Sequence, residues 1–266
     1  MNKELLSHFN LSALPFTKEI PVEKLLHLPT VEKAVGTARL LVETRGIGVL
    51  IGESGAGKSC IIRLLESELN PGLNKLIYLC HSSIGILEFY SHLCAGFGLE
   101  AKRMRAAMFR SVKERILSLN RSSGIHPVLV IDDAHMLCTE ILQEIRLLTN
   151  FEIDSYNALT VLLCGQETLT RKFGLSILES LANSITFTIK LVNLAKEESF
   201  SYIEQRINQV GPSSTLFTKN ALALTHQASG GIMRNINTIA QAALVKAFLA
   251  KSPQVEVEHV QSVIER

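Results

Sequence analysis

What the chain lacks narrows its class before any motif is considered. No apolar run reaches the roughly 18 residues that a membrane-crossing helix requires, so no membrane partner is expected. The N-terminus, MNKELLSHFNLSALPF, has neither a continuous apolar core nor a small-residue cleavage site. No secretory signal is read there, and a cytoplasmic protein is expected. There is no internal repeat and no low-complexity tract. The five cysteines (Cys60, Cys80, Cys94, Cys138, Cys164) are an odd number, mostly beside strand-like apolar runs, which argues against a disulfide framework. Cys80-His81 and His92-x-Cys94 lack the short matched spacing of a metal pair and read as ordinary packing residues. A marked charge imbalance is missing too. The formal net charge of +2 neither requires nor excludes nucleic acid.

What is present is the composition of a globular chain with a full core: 266 residues, 47% hydrophobic and 20% charged. Apolar runs of strand length recur as IGVLI (47–51), LIYLC (76–80), VLVID (128–132), LTVLLC (159–164) and ITFTI (185–189). Most are continuously apolar, as for strands covered on both faces. Helical spacing separates them at 58–69, 84–97, 103–120 and 139–150, so the alternation predicts a parallel sheet with right-handed crossovers. After residue 190 only helical patterns follow, near 195–210, 218–228, 232–250 and 256–265, with Thr218 as an N-cap and Gly230-Gly231 as a break.

Five stretches are candidates to carry chemistry. Residues 52–59, Gly-Glu-Ser-Gly-Ala-Gly-Lys-Ser, fit G-x-x-x-x-G-K-[ST] after a strand and before a helix. Gly52, Gly55 and Gly57 let backbone N–H groups close around phosphate oxygens, together with Glu53, Ser54, Ala56 and the start of the helix through Cys60. Lys58 then reaches the β- and γ-phosphates of ATP, and the Ser59 hydroxyl takes Mg²⁺. In PVLVIDDAH (127–135), a buried strand ends on two carboxylates, placing Asp132 to hold Mg²⁺ and Asp133 near the attacking water. In LLCGQETL (162–169), Gln166 is either a turn residue or a γ-phosphate contact. Arg234, in SGGIMRNIN (229–237), is either a surface arginine or a reporter of the third phosphate. The segment AKRMRAAMFRSVKER (101–115) sets Lys102, Arg103, Arg105, Arg110, Lys113 and Arg115 against Glu114 alone. Such a run is either a solvated helix face or a phosphate-contacting surface.

As a group, HFNLSALPFTKEI, GESGAGKS, VLVIDDAH, EIRLLTNFE, LLCGQETL and LFTKNALALTHQASGGIMRNIN resemble the ExeA-like AAA+ ATPases, which include transposition helpers of the TnsC, TniB and IstB kind. The resemblance runs from about Phe9 to the last helix and implies a P-loop AAA+ domain on a five-stranded parallel sheet with a small all-α lid. It divides the chain into an N-terminal segment (1–34), an α/β nucleotide-binding domain (35–191) and a helical lid (192–266). It makes Asp132 the Mg²⁺ carboxylate, puts Asp133 where the family has a catalytic Glu, and makes Gln166 and Arg234 the two sensors. Phe9, Pro15 and Phe16 fall in the segment that packs near the adenine.

Two departures from the family bear on turnover. Asp133 is one methylene shorter than Glu, withdrawing its carboxylate by about 1.5 Å. Asn183-Ser184 stand where relatives often carry Gln-Arg, whose Arg serves as the trans finger; loss of such a finger costs about 10³-fold or more. Arg171 and Arg146 are the candidates to replace it. The resemblance thus implies slow or partner-dependent hydrolysis, with ATP acting as an assembly switch. The expected partners are duplex DNA, gripped without sequence preference through Lys102, Arg103 and Arg105, a transposase, and further copies of the chain in a ring or helical filament. A secretion-system ATPase is the alternative, set lower because the chain stops near Arg266 with no membrane segment or further domain. A stand-alone nucleotide-dependent regulator is a third reading.

Overall fold

The computed structural model describes residues 2–26, 28–80, 84–211 and 216–265. Along the chain run α1 (Asn2–His8), α2 (Pro29–Thr44), β1 (Ile47–Ile51), α3 (Lys58–Glu68), β2 (Asn74–Leu79), α4 (Ile86–Phe97), α5 (Arg105–Ser122) and β3 (His126–Ile131). Then come α6 (Thr139–Thr149), β4 (Thr160–Gly165), α7 (Glu167–Phe173), α8 (Glu179–Asn183), β5 (Ile185–Lys190), α9 (Lys196–Asn208), α10 (Lys219–Ser229), α11 (Met233–Leu249) and α12 (Val257–Ile264). The described chain divides into two compact units: Met1–Glu32, Ser54–Gly57 and Val192–Arg266 form one, and Lys33–Glu53 with Lys58–Leu191 form the other.

The second unit holds a five-stranded parallel sheet in the order β2-β3-β4-β1-β5. The order explains the sequence pattern. Strands β1, β3 and β4 lie inside the sheet and are buried along their whole length, which is why they read as unbroken apolar runs. At the edges, β2 and β5 expose part of their length, and β5 alternates as ITFTIK. Helices α4, α5 and α6 cover one core, built from Phe89, Tyr90, Phe97, Met108, Ile116 and Ile145 against Val49, Leu129 and Leu163. On the other face, a Cβ at Gly48 would sit 2.3 Å from a Leu41 methyl, so that glycine admits α2 against the sheet.

The first unit is helical. The Thr218 hydroxyl accepts the Ala221 N–H at 3.3 Å, the N-cap that the sequence predicts for α10. Gly230 and Gly231 have φ of +60° and +72°, and a Cβ on Gly231 would lie 2.3 Å from the Leu194 carbonyl oxygen. Only glycine allows the chain to break there and restart as α11. The N-terminal segment packs in this same unit: a His8 ring nitrogen bonds the Ser252 carbonyl at 2.8 Å, and the Ser12 N–H donates to Val210 O at 2.7 Å. Among the described residues no helix is long and apolar enough to cross a membrane.

Candidate nucleotide site

The site starts where β1 ends. The Gly52 N–H donates to Gly165 O at 3.1 Å, fixing the loop's first residue to the end of β4. Gly55 and Gly57 take φ of +89° and +106°, values that side chains disfavour, and α3 begins at Lys58. Lys58 is only 8% exposed, and its ammonium donates to Gly52 O at 2.8 Å and Glu53 O at 2.9 Å. Ser59 lies exposed in the first helical turn, Cys60 is half-buried behind it, Ala56 is buried, and Glu53 and Ser54 face out. An ammonium folded over its own loop, beside a hydroxyl at a helix start, is a donor set that suits a phosphate chain.

Asp132 follows directly on β3 and is 9% exposed. Its N–H donates to Leu79 O at 2.8 Å, its Oδ1 accepts the Asp133 N–H at 2.9 Å, and its Oδ2 accepts the Tyr78 hydroxyl at 2.8 Å. Burial, and then the hydrogen bond and charge of Asp132, push the Tyr78 phenol well above its ordinary range. Asp133 adopts a left-handed backbone (φ +49°), and its side chain is 61% exposed. Two donors on Asp132 and the solvation of Asp133 ease the repulsion between these neighbouring carboxylates. Asp133 Oδ1 lies 3.8 Å from His135 Nδ1, a buried nitrogen with no hydrogen-bond partner among the described residues.

Gln166 follows β4 at the N-cap position of α7, half-buried and making no cap bond. Because β4 lies between β3 and β1, with Ile51 paired to Gly165 and Ile131 to Leu163, the sheet brings Gly52 at the start of the loop, both acids and Gln166 to one C-terminal edge. That edge is where open parallel sheets bind ligands.

Arg234 is in the helical unit with the loop tip, residues 54–57. Its N–H donates to Gly55 O at 3.1 Å and its Nη1 to Ser54 Oγ at 2.9 Å. A Cβ on Gly55 would come within 2.6 Å of the Arg234 Cβ, so the glycine permits this approach as well as the turn. Phe16, 6% exposed, meets Phe217 edge-on at 6.1 Å inside the same unit.

The basic segment is more committed than its sequence implies. Lys102 Nζ donates to Ser111 Oγ at 2.7 Å and Arg105 Nη1 to Glu144 Oε1 at 3.0 Å, while Arg103 is exposed. Glu144 accepts the Tyr90 hydroxyl on its other oxygen at 2.7 Å, and burial, then that bond, push the Tyr90 phenol upward. The Lys113 ammonium bonds the Asn150 carbonyl and lies 4.3 Å from the Phe151 ring centre. Of the two finger candidates, Arg146 forks onto Asp154 at 3.3 and 2.6 Å, whereas Arg171 is exposed on α7.

Sequence reading assigned no role to Tyr78, His135 or Glu144. His135 stands inside the quoted acid motif and was available to be read. Tyr78 lies in the second apolar run and Glu144 opens the quoted stretch EIRLLTNFE, but their contacts carry no sequence signal, because the partners lie 54 and 39 positions away. Among the described residues, no three His, Cys, Asp or Glu side chains are grouped to hold a metal on their own. Of the paired positions weighed for metal, His81 lies outside the described residues and Cys94 is buried in the core. A single Asp with a serine suits Mg²⁺, which keeps several waters and phosphate oxygens as ligands.

A parallel sheet, a glycine-rich loop running into a helix and an acidic strand end define a P-loop nucleotide-binding protein of AAA+ type. Residues 40–173, half of the chain, match the model of the family described as AAA domain, and the chain belongs to that family. It is 31% identical over 212 residues to general secretion pathway protein A of Aeromonas hydrophila, covering 79% of this chain and 38% of that protein. The chain therefore spans well under half the length of this curated relative. In fold it is similar to Cdc6p of Pyrobaculum aerophilum (TM-score 0.71, 15% identity, 91% of this chain and 67% of that one). It is also similar to the Aeropyrum pernix ORC1 protein solved in complex with DNA (TM-score 0.69, 16% identity, 93% and 67%). The Thermotoga maritima RuvB branch migration motor is a further fold relative (TM-score 0.60, 17% identity, 90% and 69%).

Proposed function

We propose that the chain binds ATP with Mg²⁺ and uses the bound triphosphate to assemble copies of itself on duplex DNA, where the assembly recruits or activates a transposase. The observation that carries the nucleotide part is Lys58, a nearly buried ammonium at the head of α3 inside a glycine-rich turn. In this reading the backbone of residues 52–60 wraps the phosphates, Lys58 trades its loop carbonyls for phosphate oxygens, and Ser59 and Asp132 hold the metal. Bound Mg²⁺ would neutralise charge on the phosphate oxygens. Gln166 and Arg234 read the third phosphate, Phe16 and its neighbours wall the adenine side, and Asp133 orients the attacking water. Its short side chain keeps hydrolysis slow, and Arg171 is the freer of the two candidates for the trans finger.

The DNA half is supported by the resemblance to ExeA-like ATPases, a group that includes transposition helpers, and by a fold similar to that of the Aeropyrum pernix ORC1 protein, solved in complex with DNA. Electron microscopy of the protein with duplex DNA tests it: rings or filaments with a non-hydrolysable ATP analogue, and none with ADP. A second reading, a component of a general secretion pathway, is favoured by the 31% identity to general secretion pathway protein A. Intact ATP binding with no DNA-bound assembly in either nucleotide would select it.

A further inference from the structure

The basic segment borders a feature that nucleotide binding does not use. Between α5 and α6 lies a half-open groove of about 430 Å³, within the size range of side-chain and ligand pockets. Its floor is apolar, formed by Phe109 and Leu117 of α5 and Leu147 of α6, with Leu147 52% exposed. Arg105, Arg110 and Lys113 form its rim, with Glu114 the one exposed acid among the lining residues. Glu144, at the base, already accepts from Tyr90 and Arg105 on its two oxygens and offers little charge outward.

Two kinds of macromolecule could answer a positive rim, and the floor separates them. A DNA backbone presents phosphates and sugars, which reward cations with free heads and leave apolar surface unfilled. Here Lys102, Arg105 and Lys113 each bond the protein's own Ser111, Glu144 or Asn150. Arg110 is exposed and, among the described residues, has no partner. One uncommitted arginine beside an open apolar trough suits an amphipathic helix whose apolar face fills the trough and whose flank carries acid.

We propose that the groove between α5 and α6 docks a partner protein through an acidic amphipathic helix, with large apolar side chains seated among Phe109, Leu117 and Leu147 and a carboxylate on Arg110. The docking is independent of whether the assembled protein acts on DNA or in secretion.

The probe is a fluorescein-labelled helical peptide with leucines at i, i+3, i+4 and i+7 and flanking glutamates. Its controls are the same peptide with lysines for glutamates and a short DNA duplex. Binding is read by anisotropy and by the methyl NMR signals of Leu117 and Leu147. The glutamate peptide should shift both methyls and bind about fivefold or more tighter than its lysine counterpart. Leu147→Asp and Arg110→Glu should each remove most of that binding with ATP affinity and Tm unchanged. Both positions are exposed; should Leu147→Asp lower Tm, Arg110→Glu alone decides. Equal binding of the two peptides, indifference to Arg110→Glu, or methyl shifts produced by the duplex in place of the peptide would overturn the assignment.

Discussion

The phosphate loop and helix α5 are both regions that a sequence reader marks as cationic, and they make opposite use of charge. The loop has one lysine, nearly buried, with its ammonium on two carbonyls and its backbone bent by glycines. The α5 segment has six basic side chains, yet three of them bond a serine, a carboxylate and a carbonyl of the same unit. An anion site is made by donors converging with low solvation around one point, whereas a count of cations along a helix measures only solubility and rim charge.

That contrast is open to being broken. The largest effect is expected at the loop: Lys58→Ala should weaken ATP binding by about 100-fold in a titration with fluorescent nucleotide, since a charge-assisted contact is worth roughly 1.5–3 kcal/mol. Retained affinity would mean that the buried ammonium is structural. Next, Asp133→Glu restores the longer acid and should raise steady-state ATP turnover about tenfold. An unchanged or reduced rate would place the limit elsewhere, as at the arginine supplied in trans. The combined Lys102→Ala, Arg103→Ala and Arg105→Ala variant is predicted to reduce the salt slope of duplex binding by only about one to two, not three, because two of the side chains are engaged internally.

The smallest effect concerns neither region and serves as a baseline for both. Burial, then the Arg45 charge, lowers the His126 imidazole to about 4, and the neutral ring bonds Thr160 and Asn120. The unfolded chain takes up the proton near pH 6.5 and the folded one does not. Stability should therefore be full above that pH and fall progressively toward pH 4. His126→Gln should flatten this dependence in denaturant melts between pH 7 and 5.

Much of the architecture was legible from hydrophobic period alone. Each of the five apolar runs became a strand, and their unequal burial follows from which strands the sheet encloses. Helix α2 escaped, although Val31, Ala34, Val35, Ala38, Leu41 and Val42 mark an apolar stripe, because it precedes the strand–helix alternation that organises the reading. At the candidate site, Lys58, Ser59 and Asp132 stand out in the sequence because local spacing marks them. What was not readable depends on strand register and backbone sign. Tyr78 meets Asp132 because β2 pairs with β3 as Tyr78↔Val130, and Asp133 is exposed on a backbone of positive φ. Pairings of that kind carry no periodic mark in a single chain.

The bond from the Arg234 amide to the Gly55 carbonyl carries one more consequence. Arginine 234 can be exchanged for nearly any residue and its guanidinium will go, yet α11 stays moored to the loop, since the mooring is peptide to peptide. Proline alone, having no hydrogen to give, cuts it. Comparing nucleotide affinity in Arg234→Ala and Arg234→Pro therefore separates any part played by the guanidinium from that of the main-chain bond.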